Sequence, residues 1–352
     1  MPGEQSGWLR GLTGDQEIAA RFSDQAQFES FARFESALIA GLANAGLIDV
    51  GAASDLEYRI LKFKPDEKRI AAAAVIDGVP VPEYVRQLRR TLSGPGSELV
   101  HHGATSQDLT DTATVEALRK VVDIASARLD LLIADLDALE ERDGRRPLKA
   151  ITRMQEALHI QASARIRIWS DSLKALSERA PSLRLETGKL QFGGAVGDLQ
   201  ALGENAETVA VTIADKLGLD WPGNGWHTTR RPFLACAGWL TELSAALGKI
   251  GQDVAMMALR GSVDIAFSGG GSSSAMPNKQ NPVAAERLVA LARFNASLMG
   301  AMHQAQIHEM ERSGAAMTLE WMVLPQICET TGCGLLACRE LIGSVTRMGR
   351  ET

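Results

Sequence analysis

The sequence lacks the features that would tie it to nucleic acid or to a membrane. Its formal net charge is −6, and no long basic run offsets that charge, so a nucleic-acid partner is not expected. No apolar run approaches the length of a membrane span, and the first residues lack the apolar segment of a signal peptide. These absences predict a cytoplasmic protein whose partners are small molecules or further copies of the chain.

Cysteine is also scarce. The four cysteines are Cys236, Cys328, Cys333 and Cys338, and no two of them form a CxxC pair. The last three are five residues apart, a spacing that turns each about 140° from the next on a helix, so they do not share a face. We interpret all four as buried, reduced thiols and expect no metal site.

Helical patterns occupy most of the chain, and no alternating strand pattern longer than a few residues is evident. Apolar residues recur at three- and four-residue spacing from Val115 to Leu139. This seam predicts a helix that begins near Ser106 and ends at 143–144, roughly 50 Å long. Similar patterns predict helices over 232–267, 282–312, 152–180, 198–217 and 318–348.

Helices of this length must bury their apolar seams against one another. The predicted fold class is therefore all-α, an elongated bundle of long helices that is completed by other subunits. The stretch SGPGSE at 93–98 marks a break before the bundle. We therefore expect an N-terminal helical domain, residues 1–98, and a central long-helix bundle domain, residues 99–352.

The most unusual segment reads GGGSSSAMPNKQNP, at 269–282. Asn281 and Pro282 predict a helix start, whose free amides and positive dipole end attract an anion, and Lys279 adds a full charge. The glycines and serines have too few constraints to hold one shape, so we expect them to close over a ligand. A serine enclosed in this way can become a proton-transfer group. No GK[ST] ends the glycine run, so it is not a P-loop.

Two further segments place polar residues in the helical pattern. HHGATSQDLTD at 101–111 opens the first long helix, where Thr105 or Ser106 can cap it and Asp108 can complete a capping box. Capping alone can explain these residues, but two adjacent histidines before the cap favour a ligand site. ITRMQEALH at 151–159 crowds polar residues at a predicted helix start, which by itself indicates only a solvated helix face.

Together the three segments resemble the signatures of the fumarase/aspartase superfamily of long-helix lyases, over most of the chain. The loop at 269–282 is similar to the highly specific SSxMPxKxNP signature. Residues 101–108 are similar to an HxGxTSxD segment, and residues 152–157 are similar to a TxxQxA segment. GATSQDLTDT and LQFGGAVG resemble the 3-carboxy-cis,cis-muconate cycloisomerases most, although adenylosuccinate and argininosuccinate lyases share the core signature. Members usually continue further at the C-terminus, so their small C-terminal domain is expected to be absent.

The resemblance implies a homotetramer, active sites built from segments of three subunits, a small polycarboxylate substrate, and no metal or organic cofactor. By position, Ser273 would be the proton-transfer residue of the closing loop, with Ser274 beside it. The residues that the resemblance places around the substrate are His101, Thr105, Ser106, Thr152, Arg153, Gln155, Arg230, Met276, Lys279 and Asn281.

The sequence departs from the superfamily at Arg153, where members usually carry a histidine. A lyase that expels an amine or hydroxide needs an acid for the departing group. A muconate cycloisomerase instead adds an ionised carboxylate across its own double bond and needs no acid at that oxygen. We therefore expect lactone closure in the protocatechuate branch of the β-ketoadipate pathway. A fumarate-releasing lyase is the alternative, and a catalytically silent helical tetramer with a structural or binding role also stays open.

Overall fold

The computed structural model describes residues 6–271, 276 and 280–350, and the predicted all-α fold is confirmed. Over these residues the helices are α1 Gly7–Thr13, α2 Gln16–Ala19, α3 Asp24–Asn44, α4 Val50–Lys62, α5 Glu67–Asp77, α6 Val81–Thr91, α7 Ser106–Asp143, α8 Ala162–Thr187, α9 Ala206–Leu217, α10 Arg231–Leu259, α11 Val283–Gln304 and α12 Gly314–Ser344. The short strands are β1 Pro147–Thr152, β2 Gln155–Gln161, β3 Ile265–Phe267 and β4 Val345–Met348.

Five long helices form the bundle: α7, α8, α10, α11 and α12. Helices α7, α10 and α12 run in one direction, and α8 and α11 run back. Two ion pairs set α8 antiparallel to α7: Arg184 with Asp123 at 2.6 Å, and Lys174 with Asp137 at 2.9 Å. The bundle therefore has two ends, each made of the segments that connect its helices.

We call these the head end and the tail end. The head end contains the start of α7, and the tail end contains its last residues. The head end comprises residues 99–111, 188–230 and 305–320, and the tail end comprises residues 143–162, 259–271, 280–283 and 344–350. Because α7 has 38 residues, about 57 Å separate the two ends.

The apolar seam predicted for α7 forms the centre of the core. Each of its eight members, from Val115 to Leu139, is buried. The bundle is closely packed as well: a Cβ added at Gly251 of α10 would lie 2.6 Å from the carbonyl oxygen of Ala285 in α11. A larger residue at Gly251 would therefore push these two helices apart.

The helices before residue 98 pack on the side of the bundle. Helix α3 is buried along most of its length and contacts α7 and α9. At its closest approach, a Cβ added at Gly41 would lie 3.0 Å from Val209 of α9. Since α9 falls within the second predicted domain, a helix from each predicted domain shares this interface. The boundary at residue 98 stays a prediction.

Some of the predicted helix bounds are wrong, at both ends of the bundle. Helix α10 ends at Leu259 rather than at 267, because β3 follows and pairs with β4. Helix α11 ends at Gln304 rather than at 312. The predicted helix start at 152 is instead an antiparallel hairpin of β1 and β2, so strands of six and seven residues are present.

Helix α10 also meets the length and hydropathy of a membrane-crossing helix, contrary to the expectation from the sequence. Its apolar window is 56% buried inside the protein. The helix packs against α8, α11 and α12 and carries Glu242, Lys249 and Asp253. These contacts and charges are typical of the core helix of a bundle.

Candidate active site

The predicted site residues fall into two groups at opposite ends of the bundle. The head end holds His101, Thr105, Ser106 and Arg230, and the tail end holds Thr152, Arg153, Gln155 and Asn281. Met276, from the loop segment, is 52% exposed. Ser273, Ser274 and Lys279 lie outside the described residues. The length of α7 keeps the two groups far apart, so a single chain does not bring its predicted site residues together.

The described ends of the loop meet in a backbone bridge. The Gly271 amide donates to the Asn281 carbonyl at 3.0 Å, and the Asn281 amide donates to the Gly271 carbonyl at 2.9 Å. Helix α11 starts one residue later than expected, with Pro282 rather than Asn281 as N-cap and without a side-chain cap. Asn281 therefore closes the base of the loop through its backbone.

The hairpin exposes its turn to solvent. Thr152 pairs with Gln155, and the two turn residues between them have left-handed backbone angles, with φ of 47° at Arg153 and 65° at Met154. Two-residue hairpin turns of this kind usually carry Asn-Gly, because a side chain disfavours positive φ by about 1–2 kcal/mol. All four residues are exposed, so Thr152, Arg153 and Gln155 are available to a ligand or to a neighbouring chain.

Asp108 organises the head end. The predicted capping box is confirmed, since Asp108 accepts from the Thr105 amide at 2.9 Å. The same carboxylate accepts from the amides of Gly193 and Gly194 at 2.9 and 3.0 Å, and its Oδ1 lies 2.8 Å from Nε2 of His227. Asp108 thus joins the start of α7 to two distant segments of the chain.

His101 is held by a buried glutamate that sequence reasoning missed. Its amide donates to Oε2 of Glu35 at 2.9 Å, and its Nδ1 lies 2.6 Å from Oε1 of Glu35. Glu35 is fully buried in α3. Burial lowers the pKa of His101, but the charge and hydrogen bond of Glu35 outweigh it, so the net shift is upward.

A signal for Glu35 exists in the sequence. It lies four residues after Phe31 and three before Leu38, a spacing that puts it on the buried face of α3. A buried carboxylate needs a partner. The spacing therefore predicts a partner for Glu35, but it does not identify His101.

Arg230 lies in the interior. Its guanidinium donates to Asp111 at 2.5 and 2.8 Å and to Glu320 at 2.6 to 3.1 Å. All three side chains are at most 1% exposed. Burial lowers the pKa of Arg230, but the two carboxylates raise it by more, so the net shift is upward. Because protein carboxylates use each of its nitrogens, the structure argues against the sequence-based assignment of Arg230 to substrate binding.

Two buried amides extend this ion pair into a network. Gln107 donates to Asp111 at 3.0 Å and to the His227 carbonyl at 2.8 Å. Gln191 also donates to Asp111, at 3.0 Å, and Arg312 donates to Gln107 at 3.2 Å. The interior of the head end is therefore a connected set of polar groups, which holds its turns in one arrangement.

The described parts of the chain offer no obvious metal site. Among them, no group of three or more histidine, cysteine, aspartate or glutamate side chains is arranged to hold a metal ion. The four cysteines are buried and unpaired. The polar groups described above bind one another, through hydrogen bonds and ion pairs.

A family model described as lyase matches residues 75–294. The 3-carboxy-cis,cis-muconate cycloisomerase of Pseudomonas aeruginosa is 33% identical over 317 residues, which cover 88% of this chain and 69% of that enzyme. The cycloisomerase of Bradyrhizobium diazoefficiens is 33% identical over 336 residues, which cover 94% of this chain and 74% of that enzyme.

A solved structure is similar to the chain in fold as well as in sequence. The crystal structure of the 3-carboxy-cis,cis-muconate lactonizing enzyme from Pseudomonas putida matches with a TM-score of 0.89 at 28% identity, over 97% of this chain and 77% of that one. The chain belongs to the lyase family, in the fumarase/aspartase superfamily. Within this family, it is similar to the 3-carboxy-cis,cis-muconate cycloisomerases in both sequence and fold.

Proposed function

We propose that the chain is a cofactor-independent cycloisomerase that closes 3-carboxy-cis,cis-muconate to 4-carboxymuconolactone. The similarity to two bacterial cycloisomerases supports this assignment. The observation that carries it is the exposed hairpin turn, where Arg153 stands in place of the superfamily's usual histidine. An arginine does not act as a proton donor at neutral pH, whereas it binds carboxylates well.

Neighbouring acids on the hairpin do not replace that histidine. Glu156 is paired with Arg260 at 2.5 Å and lies 3.9 Å from Lys149. Its oxygens are engaged by these cations. His159 follows Gln155 by four residues along β2, which puts it roughly 13 Å from the turn. The hairpin is thus suited to binding an anion, and a reaction that needs no acid for a leaving group fits it better than amine release.

The reaction requires positioning, charge stabilisation and one proton. One carboxylate of the substrate adds to a C=C bond of the same molecule, so that a C–O bond forms as the π bond breaks. Holding the two groups together supplies effective molarity worth several kcal/mol. Negative charge then develops on another carboxylate, where Lys279 and nearby amides would stabilise it. Ser273 would deliver a proton to the neighbouring carbon and regain one from water, so the tricarboxylate substrate becomes a dicarboxylate lactone. Arg153 would hold the third carboxylate.

We further propose that the enzyme works as a cytoplasmic homotetramer whose sites form between chains. The separation of the head end from the tail end supports this, because residues about 57 Å apart along α7 cannot contact one substrate within one chain. The hairpin also exposes the apolar side chain of Leu158, at 81%. Large exposed apolar side chains beside polar ones are typical of a contact surface.

The test is to mix the purified protein with 3-carboxy-cis,cis-muconate and follow the loss of its conjugated absorbance. We expect fast loss with the native protein and a loss of activity of about 10²-fold or more in Ser273→Ala. Ser268→Ala is the matched control, since Ser268 precedes the loop and bonds to Ser344. Fumarate release from adenylosuccinate or argininosuccinate instead would assign a sister lyase, and inactivity on all three substrates would favour a structural or binding role.

A further inference from the structure

We propose that Glu35 is a positioning residue for His101: it engages Nδ1, so that Nε2 is presented to a substrate carboxylate as a charged hydrogen-bond donor. This inference rests on the proposed function, because it assigns a role within the same site. It adds a residue from the N-terminal helices, outside every motif that the resemblance selects.

The geometry leaves His101 little freedom. One carboxylate oxygen of Glu35 accepts from the His101 amide at 2.9 Å, and the other lies 2.6 Å from Nδ1. The His101 backbone has φ of 62°, a conformation that costs a residue with a side chain about 1–2 kcal/mol. The two contacts to Glu35 hold the residue in that conformation. They also orient the ring, since both bonds come from one rigid group.

The other ring nitrogen remains available. Among the described residues, none bonds to Nε2 of His101, and the side chain stays 16% exposed. The first turn of α7 begins five residues later, at Ser106. A carboxylate bound at Nε2 would therefore lie near the helix start that the sequence predicts as a ligand site.

The surrounding charges favour a protonated ring. The groups that face His101 are Glu35 from α3, Asp108 from α7 and Arg89 from α6. Burial and Arg89 lower the pKa of His101, while the two carboxylates raise it by more. Arg89 is itself held by the Val100 carbonyl at 2.7 Å. A protonated ring forms shorter and stronger hydrogen bonds to a carboxylate than a neutral one does.

The direct test measures the protonation of His101 without any substrate. Deuterium exchange at the ring C2 position, followed by mass spectrometry with fragmentation, gives the pKa of each histidine in the full-length protein. Glu35→Gln keeps the size of the side chain but removes its charge, so the His101 pKa should fall by one unit or more. Glu29→Gln is the matched control, since Glu29 is an exposed acid on the same helix that accepts from Gln25.

The second readout is kinetic. With 3-carboxy-cis,cis-muconate at pH 8, KM of Glu35→Gln should rise about tenfold, the ratio that one pKa unit represents. The change in kcat should be smaller, and the defect should shrink as the pH falls, because a growing share of the variant protein then carries a protonated ring. Adding Glu35→Gln to His101→Asn should change KM no further, because Glu35 acts through His101.

These results separate the inference from the proposed function. A native His101 pKa at or below the ordinary value of about 6.5 would overturn the inference even if Glu35→Gln did not fold. An unchanged His101 pKa in a folded Glu35→Gln protein would overturn it too, and so would additive effects in the double variant. If the native protein leaves 3-carboxy-cis,cis-muconate unchanged while the pKa falls in Glu35→Gln, the proposed function fails and the pairing of Glu35 with His101 is upheld.

Discussion

Replacing Arg230 tests whether this residue is structural. In the native protein its guanidinium is shared by Asp111 and Glu320 at the centre of the head end. Asp111 keeps two amide donors when Arg230 is removed, from Gln107 and Gln191. Glu320 loses the hydrogen bonds that Arg230 donates to both of its carboxylate oxygens. Arg230→Met therefore leaves a buried and uncompensated carboxylate at residue 320.

The expected cost is large. Breaking a buried ion pair by removing one partner costs about 3–5 kcal/mol. Arg230 also lies over the rings of Phe233 and Trp226, at 4.6 and 5.3 Å from their centroids, and these contacts are lost as well. The double variant Arg230→Met with Glu320→Gln should recover much of the loss, because it removes both charges of this pair, while Asp111 keeps its two amide donors.

The assay is urea denaturation at one fixed protein concentration, with the exposed Arg231→Ala as control. Arg231 is 80% exposed and pairs with Glu186, so its removal should not measurably shift the midpoint. Burial raises the pKa of Glu320 even in the native protein. The deficit of Arg230→Met should therefore shrink as the pH falls and the orphaned carboxyl becomes protonated. A variant with native stability and only a raised KM would refute the structural role and would support substrate binding by Arg230.

Two further predictions concern the hairpin turn and the cysteines. Met154→Gly should raise the stability by about 1 kcal/mol, because glycine adopts the left-handed angle without strain, and an unchanged urea midpoint would show that this turn is not strained. Burial raises the pKa of Cys236 to about 12 and also raises the pKa values of Cys328, Cys333 and Cys338. Since the thiolate is the reactive form, none of the four should react quickly with Ellman's reagent at pH 8 before the protein unfolds, and one rapid equivalent would contradict the burial.

The long helix α7 could be predicted from the sequence to its last residue. Its leucine seam, its capping box and the Gly144 that follows all act over short distances along the chain. The hairpin could not be predicted in this way. Its turn residues are Arg153 and Met154, and neither belongs to the types that normally mark a left-handed turn.

The polar interior of the head end depends on contacts between distant residues. Arg230 and Arg231 are adjacent in the sequence, yet one is buried and the other is exposed. The partners of Arg230 lie 119 and 90 residues away, at Asp111 and Glu320. Glu35 is likewise 66 residues from His101. Local patterns indicate that such residues are buried, but only the packing of the helices determines which groups meet.

The proposed function requires that the head end of one chain and the tail end of another form a site that closes 3-carboxy-cis,cis-muconate. The decisive experiment mixes two variants, His101→Asn at the head end and Ser273→Ala at the tail end, each of low activity alone, by unfolding and refolding them together. We expect the hybrids to recover about one quarter of the native activity, since that share of sites combines two intact ends. If native mass spectrometry detects the hybrids but they stay inactive, the result would contradict a site shared between chains.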